Sequence, residues 1–157
     1  MLEELKESNV LDKIEELTIL IEEYDREDRE SDIALFSKHD PLKNLKQALA
    51  EKLSSSTGKA ITECQIEAQE IVSQITQELT KPSVKSRLCA SLKLLSSDLS
   101  NLSVGVVSSV LATLITGGVI TLPLLPAIPG LVTAVSVLVL TRAGIEFFCS
   151  DKRESDN

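Results

Sequence analysis

Tryptophan is absent from the 157 residues, Tyr24 is the single tyrosine and His39 the single histidine. A chain with so few amphipathic rings cannot build the aromatic belts that usually mark the two interfaces of a permanently spanning protein. One histidine leaves little for proton transfer or metal binding, and His39 sits beside an Asp40-Pro41 turn, where a capping neighbourhood explains it. No His, Cys and carboxylate set has metal-ligand spacing, and no nucleophile stands in a readable arrangement with a base. The composition therefore speaks against an enzyme, and no cofactor or metal is expected.

Cysteine is also sparse. Cys64, Cys89 and Cys149 form an odd set without ligand spacing, which suggests a reducing compartment. Cys149 follows the apolar part of the chain and reads as an idle thiol or an acylation site. The start, Met1-Leu2-Glu3-Glu4, lacks the basic and apolar regions of a signal peptide, so the targeting information is expected inside the chain. There are no internal repeats.

The most informative absence is charge: from Leu102 to Thr141 there is none. A spanning helix needs about 20 mostly apolar residues. The stretch is long enough for two, and Pro123, Pro126, Pro129 and Gly130 interrupt it in the middle. The expected fold is all-α: a small cytosolic helical bundle continuing into a two-helix transmembrane hairpin. Its parts would be an acidic arm at 1–32, a bundle at 33–99, a hairpin at 100–148 (helices at about 102–122 and 130–148, turn at 123–129) and a polar tail at 149–157. Basic residues flank the hairpin, with Lys85, Arg87 and Lys93 before it and Arg142, Lys152 and Arg153 after it, whereas the turn has none. By the positive-inside bias these anchors place both termini in the cytoplasm, with the hairpin expected in a plasma membrane.

Charge is unevenly spread elsewhere too. Residues 1–32 hold thirteen Asp and Glu against four Lys and Arg, a net of −9, while the whole chain is −8. An arm of this sign is no partner for nucleic acid. Within it Val10, Ile14, Leu17, Ile21 and Tyr24 form a seam of alternating four- and three-residue steps, which predicts a helix that packs in a bundle or self-associates. Asp40-Pro41 then opens a helix with Leu42, Leu45, Leu49 and Leu53 on one face and Lys43, Lys46 and Lys52 off it, ended by Ser54–Gly58. The acidic arm could fold back on these lysines as a latch, or serve only solubility. Ser55–Ala60 is no phosphate loop, because the first glycine is missing, Ala60 follows the lysine and no strand precedes it. Ile61, Cys64, Ala68, Ile71, Ile75 and Leu79 predict the clearest amphipathic helix, broken at Pro82. Val84, Leu88, Leu92, Leu95 and Leu99 predict a last one, expected to run from about Ser83 into the membrane without a stop.

Inside the hairpin, Gly105, Ser109, Thr113 and Gly117 recur every fourth residue and form a narrow stripe of small side chains. Such a stripe lets helices approach closely in lipid, either between subunits or within one hairpin. The apolar turn from Thr121 to Gly130 resembles the proline knot of oil-body hairpin proteins. Leu114–Thr121 could instead form a β-hairpin about Gly117-Gly118, resembling the apolar β-tongue of helical cytolysins, although no long return helix follows it. In layout, a polar helical part followed by an uncharged hairpin resembles the small two-helix membrane effectors of bacterial defence and cell-suicide systems, and apolar-hairpin toxins such as colicins. The resemblance implies an effector that oligomerises through its hairpin to permeabilise or depolarise a bilayer, under control of the helical part or a protein partner on the cytosolic side. Membrane lipids and further copies of the chain would be its other partners. The alternative is an adaptor or scaffold with the hairpin as a passive anchor.

Overall fold

In the computed structural model the apolar stripes become the inner faces of helices, with Ile61 and Leu95 left exposed. The structure describes residues 7–30, 42–96, 99, 102–123, 128 and 130–149. Among them are seven helical segments: α1 (Glu7–Glu30), α2 (Lys43–Thr57), α3 (Ile61–Leu79), α4 (Pro82–Leu95), α5 (Val104–Thr116), α6 (Leu131–Ala143) and the single turn α7 (Ile145–Phe148). The all-α expectation holds. Asp40, Pro41, His39 and the apolar patch at 33–36 lie outside the described residues.

Local chemistry sets the boundaries. Gly58 ends α2 in the left-handed region (φ 78°) with its N–H on the Ser54 carbonyl, a conformation in which glycine has no Cβ to clash. The short link that follows returns α3 along α2, and these two make the most extensive helix pair. Pro82 stands in the first turn of α4, where its missing N–H costs no helical bond. On α1 the buried positions are Val10, Ile14, Leu17 and Ile21, on α3 Cys64, Ala68, Ile71, Val72, Ile75 and Leu79, and on α4 Val84, Leu88, Cys89 and Leu92.

The apolar segment is where expectation and structure part. No helix among the described residues is long and apolar enough to cross a membrane. The transmembrane hairpin is therefore corrected to an α5–α6 hairpin built into the bundle. Each of its helices has 13 residues, so each is about 20 Å long against ~30 Å of hydrocarbon. The physical causes are glycines and a serine that periodicity alone did not weigh. α4 stops at Leu95 and Ser96 is extended, so no continuous helix runs from Ser83 into the apolar segment. Ser103 starts a new helix by accepting a hydrogen bond from Val106 N at 3.2 Å. Gly117 follows the end of α5 and Gly118 has φ 81°. Gly130 (φ 84°) opens α6, and Gly144 (φ 93°) separates it from α7. The tongue reading fails as well, because Leu114–Thr116 are helical.

The rest of the chain covers the second half of the apolar segment. Every residue of α6 from Leu131 to Leu140 is buried, and α1, α2, α3, α5 and α7 all pack on this helix. Its seven large side chains are Leu131, Val132, Val135, Val137, Leu138, Val139 and Leu140. At ~1.5–3 kcal/mol each, their burial amounts to roughly 10–20 kcal/mol as an upper estimate. That is comparable to the whole net stability of a typical domain, about 5–15 kcal/mol. Removing α6 into water would thus unfold the protein. One hydrophobic cluster runs from Val10 to Cys149 with α6 at its centre.

Candidate functional site

The candidate site is the hairpin together with the groups that hold it. The buried polar side chains of the hairpin are Ser108 on α5 and Thr133 and Ser136 on α6. Ser136 Oγ is satisfied within the helix by donating to the Val132 carbonyl at 2.9 Å, so this hydroxyl costs the core little.

At the start of α6 the contact with α1 is made by backbone. A Cβ on Gly130 would stand 2.7 Å from the Asn9 carbonyl carbon, 2.8 Å from its oxygen and 2.9 Å from Val10 N. Only glycine permits both this approach and the positive φ. Pro126 and Pro129 lie outside the described residues, while Pro123 belongs to a non-helical stretch that follows α5.

A polar clasp holds the other end. Arg142 Nη2 and Nη1 reach Asp25 Oδ1 and Oδ2 at 3.1 and 3.3 Å, and Asn44 Nδ2 donates to the same carboxylate at 2.7 Å. α1, α2 and α6 therefore meet on one half-buried Asp25. Next to this cluster, the Tyr24 hydroxyl donates to Glu51. Further along the α1–α2 seam, Lys52 pairs with Glu16. The Lys52 ammonium, through its hydrogen bond first, lowers the Glu16 carboxyl below its ordinary pKa. α1, the described part of the acidic arm, packs on α2 as a wall of the core.

A third hold joins α3 to the chain leaving α5. Glu78 accepts a hydrogen bond from Thr121 N at 2.9 Å and pairs with Lys81 at 2.8 Å. The Lys81 hydrogen bond, then that from Thr121, lowers the Glu78 pKa. Cys89 of α4 is joined to Cys149, just after α7, by a disulfide that closes a loop across the whole hairpin. The thiols read as free in a reducing compartment are thus paired, and Cys64 is the free, buried cysteine.

The sequence-derived site residues fall in different surroundings. Of the small-residue stripe, Ser109, Thr113 and Gly117 are exposed and Gly105 is half-buried. The inner face of α5 consists of Val107, Ser108, Val110, Leu111 and Leu114. The stripe therefore faces outward, and Ser109 and Thr113 line a shallow groove of about 250 Å³ with Ser91, Leu94, Leu95 and Val110. Among the expected anchors, Arg87 and Lys93 are exposed, Lys85 stands 5.6 Å from the Phe148 ring centroid, and Arg142 lies in the clasp. Lys152 and Arg153 lie outside the described residues.

Sequence reasoning missed Asp25, Asn44, Glu78 and the Cys89–Cys149 pair. Arg142 offered one usable signal: a cation ending forty uncharged residues needs a counter-charge, though nothing selects Asp25 among thirteen acids of the arm. Comparison with known proteins adds no relative, since the chain matches no protein-family model, no curated protein and no solved structure. Among the described residues no group of three or more His, Cys, Asp or Glu is placed to hold a metal.

Proposed function

We propose that this protein is a non-enzymatic membrane-active effector that stores an apolar hairpin inside an amphipathic jacket and gives it up to a bilayer, in the first instance a bacterial inner membrane. The observation that carries the reading is α6, whose residues Leu131–Leu140 are all buried under five other helices. Its release into water costs too much to occur, but lipid replaces the apolar surroundings that the jacket supplies. At about 20 Å, the hairpin helices reach into a bilayer without crossing it, so the jacket remains at the interface.

The clasps suit such a role, because they are polar, few and sited at the ends of the hairpin. Loss of the Asp25–Arg142 pair and of the α1 contact at Gly130 opens one wall of the core, with α1 as the leaf that moves. Once in lipid, the outward stripe of Ser109, Thr113 and Gly117 allows close approach between copies, and the assembly permeabilises the bilayer. A protein bound to the jacket is the proposed trigger. In an adaptor with a passive anchor, by contrast, the hairpin binds lipid without disturbing it.

The test is dye release from vesicles of phosphatidylglycerol and phosphatidylcholine on addition of the purified chain. Release that rises steeply with protein concentration supports an assembling effector. Vesicle binding without release identifies the adaptor, and absence of both refutes the proposal.

A further inference from the structure

We infer that the end of α4 and the first turn of α5 form a docking surface for anionic lipid headgroups, a step that rests on the membrane-active reading and precedes any opening of the jacket. Leu94 and Leu95 are consecutive and are 87% and 61% exposed, and Val104 across the break between the helices is 41% exposed. Burial of such side chains is the usual use of a helix, yet these stay exposed at the end of α4, where Leu94 and Leu95 line the shallow groove with Ser109 and Thr113.

Charge identifies the occupant. α4 carries Lys85, Arg87 and Lys93 and no acid, in a chain whose net charge is −8. Arg87 is exposed on the same helix as the leucines, while Lys85 and Lys93 already hold contacts of their own. Two other strongly exposed apolar residues have the opposite setting. Ile66, 73% exposed, lies on α3 between Glu63, Glu67 and Glu70, and Ile19, 58% exposed, lies on α1 between Glu15, Glu16, Glu22 and Glu23. An anionic bilayer repels those two faces and attracts α4, which fixes how the molecule would land. Apolar side chains then enter the acyl boundary while Arg87 meets the headgroups. A landing on α4 also brings down α5, the first hairpin helix, whose N-terminus follows the same break.

A second copy of the chain is the alternative occupant, since the acidic α3 of another molecule would have complementary charge. Co-sedimentation with phosphatidylglycerol vesicles and with pure phosphatidylcholine vesicles separates the cases, with sizing of the protein alone as companion. All the substituted side chains are exposed, and an unchanged thermal midpoint confirms that each variant is folded. Arg87→Glu is expected to weaken binding to phosphatidylglycerol about tenfold or more, since each cation near such a surface contributes roughly fivefold. Leu94→Ser with Leu95→Ser is expected to weaken it by a similar factor. Ile66→Ser on the acidic face is expected to change nothing.

Equal binding of the α4 variants and the wild type overturns the inference but leaves the effector reading standing. Wild-type binding through α4 without dye release does the reverse. Loss of self-association in the leucine variants, with vesicle binding intact, would identify a protein contact and also overturn the inference. So would a wild-type chain that prefers neutral vesicles or binds neither kind.

Discussion

Replacement of Gly130 by alanine tests whether α1 truly closes on the hairpin. Two costs add at this position. A non-glycine residue at φ 84° pays about 1–2 kcal/mol for left-handed backbone. The new Cβ would also meet backbone atoms of Asn9 and Val10 at 2.7 to 2.9 Å. Backbone cannot rotate away as a side-chain tip does, so α1 must shift by several tenths of an ångström. Val10, which is 1% exposed, lies at the contact and would lose part of its packing, a further ~1–2 kcal/mol. Alanine restricts the unfolded chain and returns about 0.4–1 kcal/mol. The expected net loss is therefore about 2–3 kcal/mol, measured by urea unfolding. Gly58→Ala is the control: its φ is 78°, but nothing lies within 4 Å of the added Cβ. Its loss should be about 1 kcal/mol. The difference between the variants measures the α1 contact separately from the backbone conformation. Equal losses at the two glycines would refute the close approach of α1 to the start of α6. A loosened α1 should also raise dye release by Gly130→Ala above the wild-type level.

Other substitutions probe the remaining holds. Asp25→Ala leaves Arg142 and Asn44 without their shared, half-buried acceptor and should cost about 2–3 kcal/mol in chemical unfolding; Glu22→Ala on the exposed side of α1 should cost almost nothing. Cys89→Ser opens a loop with a sequence separation of 60 residues, worth about 4 kcal/mol by chain entropy, and should lower the thermal midpoint and abolish the effect of reductant on it. Glu16 and Glu78 both have pKa values lowered from 4.5. The unfolded chain thus binds their protons first as pH falls, so their contribution is complete above about pH 4.5 and vanishes as pH drops through the folded-state values. A pH series of unfolding midpoints should show this acid loss, with a shallower slope in Glu78→Gln.

The helical content could be read from Val10 to Leu95 because each stripe repeats at helical spacing and each break carries glycine or proline. The apolar segment misled for a physical reason. Hydropathy reports that Leu131–Leu140 must avoid water, but says nothing about whether lipid or protein surrounds them. The deciding information lies in long-range partners, such as the backbone of Asn9 at Gly130 and the carboxylate of Asp25 at Arg142. Helix length was legible in part, since Gly117, Gly118, Gly130 and Gly144 bracket the two segments, and weighing them as stops would have shortened both helices. The disulfide left no trace in spacing, because three cysteines allow three pairings and only the fold brings Cys89 to Cys149. The outward turn of Ser109 and Thr113 follows from Val107, Leu111 and Leu114 claiming the inner face, a competition in which small residues lose to large apolar ones.

Hydrogen exchange of the intact chain, with and without phosphatidylglycerol vesicles, tests most directly whether the jacket opens while the hairpin stays sheltered. In water the amides of α1 and of Leu131–Leu140 should both be protected, since α1 is one wall of the core around α6. With vesicles, the account predicts that α1 loses protection while Leu131–Leu140 keep theirs in lipid. Unchanged protection of α1 at saturating vesicle concentration would contradict it.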